Sequence, residues 1–88
     1  MDPKALSLYR KLIERIEVYT GARETDESFE DLAKDLLLTD DPDGIRQYKE
    51  APSEVQKIPE IREAYLKLQE VISKKRKRLI KILAISDS

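Results

Sequence analysis

The sequence predicts an all-α fold, a small three- to four-helix bundle with a long C-terminal helix as its spine. Three observations carry this. Apolar residues recur at steps of three and four along most of the 88 residues, the period of a helix with one buried face. Helix punctuation separates those runs, as Asp2-Pro3, Gly21, Asp41-Pro42-Asp43-Gly44 and Pro59. From Ile61 to Ile82 the apolar residues alternate steps of four and three, a stripe suited to packing on other helices. A chain of this length makes one domain, residues 1–88, near the small end of what folds alone.

Each element follows in order. Asp2 is placed to cap the first helix, with Pro3 at its first position. Leu6, Tyr9, Leu12, Ile13, Ile16 and Tyr19 then share one face, while Arg10, Glu14 and Glu17 point away. Gly21 is expected to end this helix in a left-handed conformation. Thr25 or Asp26 caps a second helix. Its first turns carry Asp26, Glu27, Glu30 and Asp31, which the positive end of the helix dipole favours. Phe29, Leu32, Ala33, Leu36 and Leu37 form its buried face, and the Asp40–Gly44 turn breaks it. Ile45 to Glu50 reads as a short helix holding Ile45 and Tyr48. Ser53-x-x-Gln56 has the form of a capping box, and Pro59 either kinks that helix or starts a new one.

The last helix runs from Pro59 to about Ile85, with Ile61, Tyr65, Leu68, Ile72, Leu79 and Ile82 as its seam and Lys75 interrupting it. At about 1.5 Å per residue it is roughly 40 Å long, against about 20–25 Å for each of the first two helices. One end is therefore expected to overhang. The basic end is the better candidate, because five consecutive charges encircle the helix and cannot sit deep in a core.

Composition narrows the function. Cysteine and histidine are absent, which removes disulfides, thiol chemistry, the usual zinc ligands and the commonest general base. No Gly-rich phosphate loop is possible with Gly21 and Gly44 alone, and the carboxylates are scattered over helix surfaces, so no catalytic residues, cofactor or small-molecule substrate is expected. Charged residues make up 40%, against roughly 25% in ordinary domains. With Asn, Cys, His and Trp missing, this is the pattern of a thermophile protein. Met1-Asp2-Pro3-Lys4 does not open a signal peptide, and no apolar run approaches the ~20 residues of a membrane span. The expectation is a cytoplasmic protein with no membrane contact.

The charge is unevenly spread. Residues 1–70 carry a net −6 and residues 71–88 a net +5. Lys74-Lys75-Arg76-Lys77-Arg78 is a run of five cations, followed by Leu79 to Ile85 with only Lys81 polar. The run, with Lys81, is suited to phosphate or to an acidic protein surface. It reads equally as a solvated helix end or as an internal partner for the acidic second helix. No aromatic side chain stands near it for base stacking; Tyr65 is the closest, over two helical turns away. The apolar end, with Leu79, Ile82, Leu83 and Ile85 as docking residues, has three readings: core, partner-binding helix end, or a strand added to a partner's sheet. The turn Thr39–Glu50 superficially matches a calcium loop through Asp41, Asp43, Gly44 and Glu50. Thr39 stands where a carboxylate is required, Arg46 replaces an apolar residue and Pro42 stiffens the loop, so no metal is expected.

Tyr65-x-x-Leu68…Arg76-x-Arg78-x-x-Lys81-Ile82-x-x-x-Ile85 resembles the last helix of the α-helical domain of GINS subunits, the archaeal and eukaryotic replication complex that sits on the replicative helicase. In that family a basic helix ending in an R-x-x-K-I-type run packs among helices of sister subunits. Arg78 with Lys81-Ile82 has that spacing. The resemblance covers about 20 of the 88 residues, and the family's small β domain has no room here. It implies a helical accessory subunit of a DNA-handling assembly. A polymerase- or transcription-associated helical subunit shares these features. The expected function is thus a non-catalytic accessory subunit docking on a larger protein complex that processes DNA or RNA. The alternative is direct, non-specific nucleic-acid binding by the basic helix, and a third is self-assembly through the heptad stripe.

Overall fold

The computed structural model describes residues 2–23 and 25–86, without the side chains of 83, 85 and 86. All regular structure among them is helical, as α1 (Pro3–Gly21), α2 (Phe29–Leu38), α3 (Ile45–Glu50), α4 (Ser53–Gln56) and α5 (Pro59–Ser86). There are five helices rather than three to four. Pro52 ends the α3 segment, α4 is a single turn, and Lys57-Ile58 separates it from α5.

The two long helices run in the same direction. Gly44 lies against both Arg15 and Leu68, and Lys75 reaches Ala22, which sets α1 and α5 side by side in register. The short helices bring the chain back along this pair. Phe29 lies near Leu79 and Ile82, Leu36 is opposite Arg76, and Tyr48 stacks on Tyr65 with centroids 3.8 Å apart. The result is a rod of 49 × 20 × 16 Å. Its core holds Leu12, Tyr19, Leu36, Ile61 and Leu68 fully buried, with Ile72 and Leu79 extending it along α5.

Asp2 caps α1 as expected, accepting a hydrogen bond from the Lys4 N–H at 3.1 Å. The buried face is Ala5, Leu8, Leu12, Ile16 and Tyr19. Leu6, assigned to that face from spacing, is 37% exposed. The two stripes share Leu12, Ile16 and Tyr19; Tyr9 and Ile13 are half-buried, and Ala5 and Leu8 take the inward places in the first turns. Gly21 is the last residue of α1 and not left-handed; the chain leaves through an extended Ala22. Gly44 is the glycine that needs its freedom, with φ +93°. α2 starts at Phe29, later than the Thr25 or Asp26 cap predicts, because the Asp26 carboxylate accepts from the Arg23 N–H at 2.8 Å and closes a turn instead.

Ser53 and Gln56 do not form a capping box. The Gln56 amide donates back to the Tyr48 and Ala51 carbonyls at 2.9 and 3.0 Å, closing the C-terminal end of α3. Pro59 begins α5, which buries Ile61, Leu68, Ile72 and Leu79 of the expected seam; Tyr65 and Ile82 are half-buried, and Ala64 is buried without having been expected.

Candidate functional site

The basic run is divided by the helix that carries it. Successive residues of an α-helix are about 100° apart, so five in a row cover every direction. Two of the five face inward. The Lys75 ammonium donates to the Ala22 carbonyl at 2.9 Å, at the end of α1. The Arg76 guanidinium donates to the Leu36 carbonyl at 2.7 Å and the Thr39 carbonyl at 2.8 Å, at the end of α2. The last carbonyls of a helix have no partner within it and carry the negative end of its dipole. Neither α1 nor α2 has a basic residue in its own last turn. α5 supplies both.

The expected overhang of the basic end is therefore corrected. The run sits against the ends of two helices, and Leu79 beyond it is only 3% exposed. A charged turn is accommodated there because its inward cations meet carbonyls rather than hydrocarbon. Leu79, expected as a docking residue, is core. Ile82 is half-buried, and Leu83 and Ile85 lie outside the described side chains. Through residue 86 the segment is helix.

Lys74, Lys77, Arg78 and Lys81 are exposed. Their spacing of three, four and seven puts them on one outward face. Lys74 pairs with Glu70 at 3.1 Å along the helix. Beside this face runs a stripe that spacing arguments did not select, with Leu66 and Ile80 at 53% and 58% exposure. A seven-residue step through Ser73 relates them, so the signal is present in the sequence. It is weaker than the inward seam and is masked by it.

The acidic zone of the sequence, residues 24–43 with nine carboxylates against Lys34 alone, also divides. Tyr19 is fully buried, and its hydroxyl donates to the Asp35 carboxylate at 3.0 Å, with the Asp43 carbonyl at 3.3 Å. Burial pushes the Tyr19 phenol up to about 12; the Arg15 guanidinium, 4.6 Å above its ring, opposes this, and Asp35 adds to it. The Asp43 carboxylate pairs with Lys11 at 2.9 Å and stands 3.6 Å from Arg15. Burial raises its pKa, but the hydrogen bond and charge of Lys11, with Arg15, hold it below the ordinary value. Asp41 pairs with Lys49 at 2.6 Å. Two of the calcium-loop carboxylates, Asp41 and Asp43, are thus paired with cations of the fold itself. Among the described residues, no group of three or more His, Cys, Asp or Glu side chains is placed to hold a metal ion. Tyr65 has one ring face covered by Tyr48, nearly parallel at 10°, which leaves it poorly placed for base stacking. No helix among the described residues is long and apolar enough to cross a membrane.

No protein-family model, curated protein or solved structure matches this chain.

Proposed function

We propose that this protein is a non-catalytic helical accessory subunit that docks, through the end of α5, on a larger protein complex acting on DNA or RNA. Lys74, Arg78 and Lys81 steer that docking, and the last turns, with Ile82, Leu83 and Ile85, make the contact. The observation that carries the reading is the division of the basic run. Lys75 and Arg76 bond the carbonyls at the ends of α1 and α2, while Lys74, Lys77, Arg78 and Lys81 expose side chains on one face, over about 10 Å of helix. A cationic face on a chain whose first 70 residues carry net −6 is suited to an acidic protein surface. The resemblance of the basic helix to GINS subunits points the same way, towards a replication-type assembly.

Affinity capture from source lysate, with and without nuclease, tests this. The full-length chain is compared with Lys74→Glu/Arg78→Glu and with a chain ending at residue 82. The expected result is a stoichiometric protein partner that survives nuclease and is lost with both variants. Capture that vanishes on nuclease treatment favours the second reading, direct non-specific nucleic-acid binding by the same four cations. Four phosphate contacts at about −0.9 each limit its log–log salt slope to about −3.6.

A further inference from the structure

The edge of α5 next to α3 forms one continuous groove. From Arg62, steps of four, three, four and seven reach Leu66, Gln69, Ser73 and Ile80, which return to one face of the helix. Two hollows follow that face. One joins Tyr48, Lys57, Arg62, Tyr65 and Leu66 at the start of α5. The other joins Lys49, Gln69, Ser73 and Ile80 over a floor of Ile45 and Ile72. They abut, because Tyr48 and Lys49 are consecutive on α3 while Leu66 and Gln69 are one turn apart on α5. Leu66 and Ile80 therefore stand towards the two ends of one groove, each more than half exposed and about 21 Å apart along the helix.

The charge of this groove is one-sided. Lys49, Lys57, Arg62, Arg76 and Lys77 line it against Asp40 alone. Lys49 is paired with Asp41, and Arg76 is bonded to carbonyls. Lys57, Arg62 and Lys77 make no ion pair among the described residues. Glu63 and Glu70 lie further round α5, and Glu70 is paired with Lys74. A second copy is a poor occupant, since pairing the groove with its own two-fold image sets cations on cations. Nucleic acid would use the cations, but Leu66 and Ile80 gain nothing from phosphate, and Tyr65 is already stacked on Tyr48. An extended peptide finds no edge to pair with, because both walls are helices whose backbone groups are bonded internally. A helix arrives with its own backbone bonds made.

We infer that this groove takes an acidic amphipathic helix of a partner protein. The apolar face of that helix covers the floor between Leu66 and Ile80, a distance that about four turns span. Its carboxylates meet Lys57 and Arg62 at one end and Lys77 at the other. Ser73, small and midway, lets the two helices approach closely. This contact goes beyond the accessory-subunit reading and does not rest on it. Lys74, Lys81 and the last turns take no part in it, and Arg78 lines a separate cleft with Phe29 and Ile82.

A phage-displayed library of random peptides of about 18 residues, five helical turns, panned on the full chain, tests this. The enriched peptides are expected to be acidic, with apolar residues at steps of three and four. A synthetic copy of one is expected to gain helical circular dichroism on binding. Leu66→Asp and Lys57→Glu/Arg62→Glu are each expected to weaken its binding about 30-fold, the loss of a central contact. Lys74→Glu/Arg78→Glu is expected to leave it within about twofold, as distant surface changes do. That variant removes the docking proposed for the end of α5, so the two readings fail separately. All five side chains are exposed, and unchanged far-ultraviolet circular dichroism shows that the variants fold. A library that enriches no acidic helical pattern overturns the inference, as does a peptide indifferent to Leu66→Asp. Oligothymidylate that binds through Lys57 and Arg62 and ignores Leu66→Asp makes the groove a phosphate site. A chain that Leu66→Asp converts from dimer to monomer gives the groove to a second copy. Either of these results also overturns it.

Discussion

Tyr19 shows how single residues of this fold join distant segments. Its ring fills the core beneath Arg15, and its hydroxyl reaches the Asp35 carboxylate on α2 and the Asp43 carbonyl in the turn before α3. The spacing of α1 places Tyr19 on an inward face, but the partners of its hydroxyl are 16 and 24 residues away and leave no local mark. The pH dependence follows directly. An unfolded tyrosine titrates near 10, and in the fold Tyr19 is raised to about 12. The neutral phenol is therefore the form the fold holds. Its contribution is complete below about pH 10 and is lost as pH rises through about 12, on the order of 2–3 kcal/mol in all. Urea unfolding at pH 9 and pH 11.5 checks this. Wild type is expected to lose more stability between the two than Tyr19→Phe, in which this titration is absent while the lysines titrate as before. Parallel losses would contradict it.

Elements behave as the pattern of the chain predicts wherever a local signal governs them. Asp2-Pro3 opens α1, Pro59 opens α5, and Ile61, Leu68, Ile72 and Leu79 face inward on α5. The departures arise where a contact from elsewhere in the chain decides. Gly21 stays helical, and the stop after it is an extended Ala22 held by Lys75 from 53 residues away. Ser53 and Gln56 have capping-box spacing, yet Gln56 finds the carbonyls at the end of α3 first. Gly44 marks the turn correctly, but how tightly it is enclosed appears only in three dimensions. A Cβ there would stand 2.7 Å from Leu68 Cδ2 and 3.1 Å from Arg15 Cγ, on a backbone with φ +93°. Gly44→Ala is accordingly expected to cost about 1–3 kcal/mol, combining left-handed strain with overpacking. Chemical denaturation measures it; an unchanged midpoint would show that α1, α3 and α5 do not meet at this turn.

At the scale of the whole molecule, the long α5 organises everything else. α1 packs along it, while α2 and α3 return beside it. Lys75 and Arg76 of its basic run hold the ends of α1 and α2 by carbonyl contacts. The inward role of Lys75 and Arg76 is hard to read from five consecutive cations, since each position offers the same chemistry and only the path of the neighbouring chain distinguishes them. The outward role of the remainder follows from the same geometry, and the proposed docking depends on this division of labour. Thermal melts of four single variants, Lys74→Ala, Lys75→Ala, Arg76→Ala and Lys77→Ala, test it most directly. Arg76→Ala is expected to lose about 2 kcal/mol and Lys75→Ala about 1, for the charge-assisted bonds to carbonyls they remove. At roughly 4–8 °C per kcal/mol in a domain of this size, those are large shifts in Tm. Lys74→Ala and Lys77→Ala are expected to stay within about 0.5 kcal/mol of wild type, as surface substitutions do. Four equal shifts, or none, would contradict the division of the basic run into an inward clasp and an outward face.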